Sequence, residues 1–119
     1  MPVTAIKYDI KDGCEDDIAE IFGSFRRVGT PVIRNADGAE TGRILSTALF
    51  ISGDTMVRFI TYEGDVDDVA RFMAGQPGVQ EVERKLVPFL ASPRDTGTVE
   101  GFVETFKNST MRCLSALSA

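Results

Sequence analysis

The most constraining feature of this sequence is a pair of alternating apolar segments separated by only two residues. The segments Arg43–Ser52 and Thr55–Glu63 flank the dipeptide Gly53-Asp54. Alternation places successive side chains on opposite faces of a strand, and a two-residue connection suits a tight turn. The pattern therefore predicts an antiparallel β-hairpin, and with it a sheet at the centre of the fold.

The rest of the chain divides by periodicity and turn residues into strands, helices and a loop. Acidic residues in the first turns of two segments support the helical interpretation, because the helix dipole favours negative charge there. The predicted elements are strands over Val3–Ile10 and Val79–Leu90, helices over Cys14–Arg27, Asp65–Ala74 and Val99–Leu117, and a loop over Val28–Gly42.

This order is βαββαβ with an extra C-terminal helix, which predicts a ferredoxin-like α+β fold. Right-handed crossovers place both crossover helices on one face of a four-stranded antiparallel sheet. The other face is bare, and pairing two such sheets into a dimeric α/β barrel would cover it. We expect one domain over residues 1–92, and over residues 93–119 a linker and a helix that packs on that domain or on a dimer partner.

Composition excludes several classes of function. The 119 residues include no histidine, and the only cysteines are Cys14 and Cys113, which argues against zinc and histidine-based catalysis. A formal charge of −5 argues against nucleic acid as a partner. The sequence contains no phosphate-binding glycine motif of the kind that marks a nucleotide cofactor site, so we expect no cofactor or metal. No apolar run is long enough to span a membrane and no signal peptide is recognisable, so we expect a cytoplasmic protein.

Arg58 is the most informative polar residue, because it interrupts an apolar strand. Alternation places it on one face with Ile60 and Tyr62. A buried arginine must be paired or must bind an anionic, enolate-like oxygen, and Tyr62 is placed to donate a hydrogen bond to the same ligand. The alternative is that Arg58 lies at a solvated sheet edge or forms a salt bridge with an acid such as Glu83.

Other strand residues are weaker candidates for the lining of a pocket. Tyr8 in the first strand is more often a core aromatic than a catalytic group. Thr47 and Arg84 lie on predicted strands where only one face can point into a cavity.

Four segments of the chain resemble the SchA/CurD-like proteins of actinobacterial aromatic polyketide and spore-pigment clusters. They are Gly42–Phe50, Val57–Gly64, Gln76–Leu90 and Met111–Leu114, and the similarity extends over nearly the whole chain. The family is similar in expected fold to dimeric α/β-barrel polyketide cyclases and to cofactor-free anthrone monooxygenases. Some of those relatives are thought to use histidine, which this chain lacks.

The resemblance implies a polyketide substrate and suggests roles for the candidate residues. An aldol cyclase would hold a poly-β-ketone in an apolar cavity, with Arg58 as enolate anchor and Tyr62 as proton donor. The substrate site would be lined by Tyr8, Thr47, Arg84 and Ile60. We expect an apolar cavity between two paired sheets, with Arg58 projecting into it. The alternatives are a cofactor-independent monooxygenase and a non-catalytic partner of the polyketide synthase complex, with transient contact to an acyl carrier protein.

Overall fold

The computed structural model describes residues 2–23 and 31–117, which form an antiparallel sheet and a layer of helices. In chain order the elements are β1 (Val3–Asp9), α1 (Glu15–Gly23), β2 (Val32–Arg34), β3 (Glu40–Ser52), β4 (Thr55–Gly64), α2 (Val66–Ala74), α3 (Pro77–Leu86), a 3-10 turn (Val87–Phe89) and α4 (Val99–Ser109).

The predicted hairpin forms the middle of the sheet. The strand order is β1-β4-β3-β2, and every neighbouring pair is antiparallel. Gly53, at the turn between β3 and β4, has a φ of 59°, a left-handed conformation that glycine adopts without steric cost. β4 therefore lies between β1 and β3, and its residues are inside the sheet rather than at an edge.

The two faces of the sheet differ in burial. On one face, Tyr8, Arg58 and Ile60 are 3%, 6% and 0% exposed and lie beneath the helix layer. The opposite face keeps Phe50 63% exposed, and it also carries Ala48 on the same strand, Val57 and Phe59 on β4, and Ala5 on β1. We call this second surface, formed by Ala5, Ala48, Phe50, Val57 and Phe59, the open face.

The terminal helix joins the same helix layer. Phe102, Val103 and Phe106 of α4 are buried in the core, and α4 packs against α2 and β1 of its own chain. The predicted α+β class, with a four-stranded antiparallel sheet and an additional C-terminal helix, is confirmed.

The prediction of a last strand over Val79–Leu90 is wrong. The chain forms α3 over Pro77–Leu86 because Val79, Val82 and Leu86 recur at helical spacing and Pro77 favours a helix start. In place of the predicted strand, a single antiparallel bridge joins Leu90 to Ile10, just after the end of β1.

Two other boundaries also differ from expectation. Part of the predicted loop is ordered, because β2 and the start of β3 pair there. The C-terminal helix ends at Ser109 instead of Leu117. Beyond it the chain runs along the outer edge of β1, where the backbone N–H of Met111 donates a hydrogen bond to Ala5 O at 2.8 Å. The predicted end of the first helix, residues 24–27, lies outside the described residues.

Candidate functional site

Arg58 of β4 projects into the layer between the sheet and the helices. Its Nε donates a hydrogen bond to the Tyr8 hydroxyl at 3.4 Å, and its guanidinium lies 5.7 Å from the ring centroid of Phe22 on α1. Contact with α1 means that the side chain points away from the open face. The expected position of Arg58, in a chamber between two paired sheets, is therefore wrong, because the candidate site lies within one chain.

The charge of Arg58 is not neutralised by any Asp or Glu carboxylate of the described residues. All 18 Asp and Glu residues of the chain fall within the described ranges, and none of them forms an ion pair with Arg58 there. The alternative partner, Glu83, pairs with Arg94 instead. The alternative of a solvated sheet edge also fails, since β4 is an inner strand. A buried cation without an anionic partner is costly unless a ligand supplies the negative charge.

Tyr8 of β1 connects Arg58 to a second cation. Its hydroxyl accepts the hydrogen bond from Arg58, and the guanidinium carbon of Arg94 lies 4.1 Å from the centroid of its ring. A tyrosine hydroxyl can accept one hydrogen bond and donate another. Tyr8 can therefore donate to a substrate oxygen that binds beside Arg58.

The Glu83–Arg94 ion pair was missed by the sequence analysis. Arg94 Nη2 lies 3.3 Å from Glu83 Oε1, Arg94 Nε donates to Glu83 Oε2 at 3.4 Å, and the two side chains are 8% and 5% exposed. Glu83 was detectable as an acid on the apolar face of a helical period, whereas Arg94 follows Pro93 in a loop and has no local signal. Together with Arg58, the three buried side chains carry two positive charges and one negative charge.

Tyr62 lies four residues beyond Arg58 on the same face of β4 and is 9% exposed. Burial, and secondarily the carboxylate of Asp65, raise the pKa of Tyr62 above its ordinary value of 10.0. The side chain therefore remains protonated at neutral pH and can act as a proton donor but not as a base.

Ile60 lies at the centre of the polar side chains on the helix-covered face. Arg58 and Tyr62 are its neighbours along β4, and Thr4 and Thr47 are its partners on the adjacent strands. A register shift between Ile44 and Ser46 places Thr47, rather than Ser46, opposite Ile60.

The two threonines beside Ile60 differ in burial. Thr47 is exposed, whereas Thr4 is 6% exposed and its Oγ1 has no hydrogen-bond partner in the described part of the chain. Thr4 was not predicted as a site residue, because its position next to Ile60 depends on the register of β1. Its hydroxyl is enclosed, so it does not line an open cavity in this conformation.

Arg84 does not lie beside the Arg58–Tyr8 pair. It lies on α3 with its side chain exposed, because the segment is helical rather than extended. It borders a surface groove of about 380 Å³ on the outer side of the Glu83–Arg94 pair. The structure thus groups Arg58 with Tyr8, places Tyr62, Ile60 and Thr47 on the same face, and leaves Arg84 outside.

The described residues provide neither a metal-ion site nor a membrane-spanning helix. Within ranges 2–23 and 31–117, no group of three or more His, Cys, Asp or Glu side chains is arranged to hold a metal ion. The helices of these ranges are also too short or too polar to cross a lipid bilayer.

Fold and site together define an α+β domain in which helices cover one face of a four-stranded antiparallel sheet, with a buried arginine–tyrosine pair beneath those helices. A solved structure titled as tetracenomycin F2 cyclase from Streptomyces glaucescens, a type II polyketide cyclase, shares this fold. Its TM-score is 0.56 at 14% sequence identity, and the match covers 100% of this chain and 99% of that one.

The chain belongs to the SchA/CurD family. The SchA/CurD like domain model matches residues 1–119, which confirms the predicted resemblance. A 42.8 kDa protein in the whiE locus of Streptomyces coelicolor is 32% identical over 107 residues, and the polyketide synthase CurD of Streptomyces cyaneus is 31% identical over 107 residues. Each match covers 90% of this chain but only 25% and 28% of the relative, so the chain spans about a quarter of their length.

Proposed function

We propose that this chain acts in aromatic polyketide biosynthesis as a cyclase of a poly-β-ketone or a partly cyclised intermediate. The observation that carries the proposal is the buried Arg58, which contacts Tyr8 and has no carboxylate partner. An enolate or phenolate oxygen would supply the missing negative charge. Family membership and the polyketide cyclase fold neighbour support the same class of substrate.

In an aldol closure, an enolate carbon attacks a ketone carbon of the same chain. The carbon between two carbonyls first loses its proton to water, and Arg58 stabilises the enolate oxygen that results. Tyr8 donates a second hydrogen bond to that oxygen. As the new carbon–carbon bond forms, the ketone oxygen becomes an alkoxide, which receives the proton of Tyr62, and the Tyr62 phenolate then regains a proton from water. Loss of water then leaves a carbon–carbon double bond in the new ring.

The spacing of the two donors suits a substrate with several oxygens. Arg58 and Tyr62 are four residues apart, roughly 13 Å along the strand, so they contact oxygens of one folded chain only where their long side chains converge over the middle of that segment. Ile60 lies between them and is fully buried, with the exposed Thr47 beside it on β3.

We also propose that the open face is covered by a second copy of the chain. An apolar sheet face containing a 63% exposed phenylalanine is a typical association surface. Because Arg58 faces the opposite side, each copy of such a homodimer would keep its own site beneath its own helices.

The experiment that tests the cyclase proposal compares products by mass. The purified chain is added to a minimal type II polyketide synthase, and we expect a product that has lost water relative to the product formed without it. Arg58→Gln should abolish the change, whereas Arg43→Gln, which alters a surface arginine paired with Glu40, should preserve it. A product that gains oxygen would overturn the cyclase assignment in favour of a cofactor-independent monooxygenase. An unchanged product would favour a non-catalytic partner of the synthase complex.

A further inference from the structure

We infer that Arg94 is a positioning residue that fixes Tyr8 for contact with the substrate. The inference rests on the proposed function, because it assigns Tyr8 a role at the substrate oxygen. Its basis is the short approach of the Arg94 guanidinium to the Tyr8 ring, 4.1 Å from the centroid, on a tyrosine whose hydroxyl already contacts Arg58.

Arg94 is itself held from two directions. Glu83 of α3 accepts hydrogen bonds from its Nε and Nη2 at 3.4 and 3.3 Å, and Nη1 lies 3.4 Å from Ser109 Oγ at the end of α4. A planar guanidinium with several fixed hydrogen bonds loses little further freedom when it stacks on an aromatic face. The loop that contains Arg94 therefore holds a guanidinium of fixed orientation against the ring of Tyr8.

The ring of Tyr8 is thus constrained at both its face and its hydroxyl. Arg94 contacts the face, where the ring quadrupole attracts a cation, and Arg58 contacts the oxygen. These two contacts restrict the ring and keep the hydroxyl beside the guanidinium of Arg58. A group that must donate to one substrate oxygen gains from such pre-organisation.

The same arrangement indicates the charge of the preferred ligand. Arg58 and Arg94 contribute two positive charges and Glu83 one negative charge, so the buried set retains one positive charge. A singly charged enolate or phenolate balances it, whereas a neutral ketone does not. The site therefore favours hydroxylated aromatic anions over their neutral analogues.

A purely structural role for Arg94 makes a different prediction. Arg94 borders two surface grooves, of about 230 and 380 Å³, and could serve only to join α3 to α4 beside β1. Loss of such a structural contact would weaken binding to the same degree whether or not Tyr8 has its hydroxyl. A positioning role acts through that hydroxyl.

The test measures binding of 1,8-dihydroxyanthraquinone, a stable hydroxylated tricycle, by fluorescence titration in a double-mutant cycle. Arg94→Met alone leaves Glu83 buried without its partner, so the variant used is Glu83→Gln with Arg94→Met. We expect this variant to bind the probe at least ten-fold more weakly than the natural chain. In a Tyr8→Phe background the same change should cost less than two-fold. Arg94→Lys, which keeps the cation, should restore most of the affinity.

Equal losses in the two backgrounds, or no loss in the natural background, would overturn the inference. Arg58→Gln separates this failure from failure of the proposed function. If Arg58→Gln abolishes probe binding while the cycle is additive, the substrate site stands and only the role of Arg94 is wrong. If Arg58→Gln leaves binding unchanged, the substrate site itself is wrong, and Arg94 has no substrate-contacting residue to position.

Discussion

The Nε of Arg58 and the hydroxyl of Tyr8, 50 residues apart in the sequence, are joined by a 3.4 Å hydrogen bond inside the layer between sheet and helices. The pair depends on the register of β1 and β4, in which Ile6 lies opposite Arg58 and Tyr8 is the next residue on the same face. A buried cation is thereby matched with a neutral acceptor rather than with an anion. This imbalance is unfavourable for the empty protein and favourable for an anionic ligand.

Replacement of Arg58 by methionine should change stability and binding in opposite directions. Removing a buried charge that lacks an anion should leave the free energy of unfolding unchanged or raise it by about 1 kcal/mol, whereas binding of 1,8-dihydroxyanthraquinone should be lost. Thermal unfolding by circular dichroism and fluorescence titration measure the two effects. Arg43→Met, at an exposed arginine, should alter neither, within about 0.5 kcal/mol for stability. Strong destabilisation by Arg58→Met would show that Arg58 is structural.

Replacement of Thr4 by valine should stabilise the chain. The Thr4 hydroxyl is enclosed and has no hydrogen-bond partner, and such a group costs about 1 to 3 kcal/mol of desolvation. Valine fills a similar volume without the polar atom, so the free energy of unfolding in urea should rise by about 1 kcal/mol. Thr47→Val, at the exposed threonine on the other side of Ile60, serves as the control and should have little effect. A loss of stability in Thr4→Val would reveal a hydrogen bond that forms in solution.

Removal of the carboxylate of Glu83 should be strongly destabilising. Glu83→Gln leaves Arg94 buried without an anion, and breaking one side of a buried ion pair costs about 3 to 5 kcal/mol. Glu81→Gln on the same helix removes the carboxylate of a more exposed pair with Lys85 and should cost less than about 1 kcal/mol. Urea denaturation at neutral pH measures both. Similar small losses for the two variants would show that the Glu83–Arg94 pair is solvated in solution.

Local sequence signals identified the hairpin and the anomaly at Arg58. The alternation of β3 and β4 and their two-residue turn are local, so they could be recognised without knowing the rest of the fold. Arg58 was conspicuous because a charge within an apolar strand needs an explanation whatever surrounds it. Its burial and its lack of a carboxylate partner required the structure.

The errors arose where competing local signals or distant contacts decide the outcome. Val79 and Val82 favour a strand by residue type but a helix by spacing, and the spacing with Pro77 prevailed. β2 has three residues, too few for a period to be recognised. Arg94 contacts Glu83 of α3 and Tyr8 of β1, neither of which is its neighbour in the sequence, so no local pattern marked it.

The open face should hold the chain as a dimer that a single charge disrupts. Phe50→Glu places a carboxylate at the most exposed residue of that surface, and burying it against a second apolar face would be costly. Light scattering after size-exclusion chromatography should give twice the 13.0 kDa chain mass for the natural chain and a monomer for Phe50→Glu. Leu114→Glu, at an 84% exposed leucine beyond α4, should remain dimeric. A natural chain that is monomeric at micromolar concentration would refute the proposed dimer.

Titration of Tyr62 offers a direct check on the environment of the proposed proton donor. The chain has two tyrosines and no tryptophan, so in a Tyr8→Phe background the absorbance of tyrosinate at about 295 nm reports Tyr62 alone. Burial and then Asp65 raise the pKa of Tyr62 above 10.0, so ionisation should occur above that pH. Asp65→Asn should lower the pKa towards its ordinary value while keeping the α2 N-cap, because asparagine also caps helices well.

The same shift predicts how stability depends on pH. A folded-state pKa above the unfolded value means that the native chain binds the Tyr62 proton more tightly. Its contribution to stability is complete below pH 10.0 and is lost as pH rises through the folded-state pKa. Urea denaturation between about pH 9 and pH 11 should therefore show a steeper alkaline loss of stability for the natural chain than for Tyr62→Phe. Equal slopes for the two proteins, or ionisation of Tyr62 below pH 10.0, would mean that its hydroxyl is solvated and is not held as a buried donor.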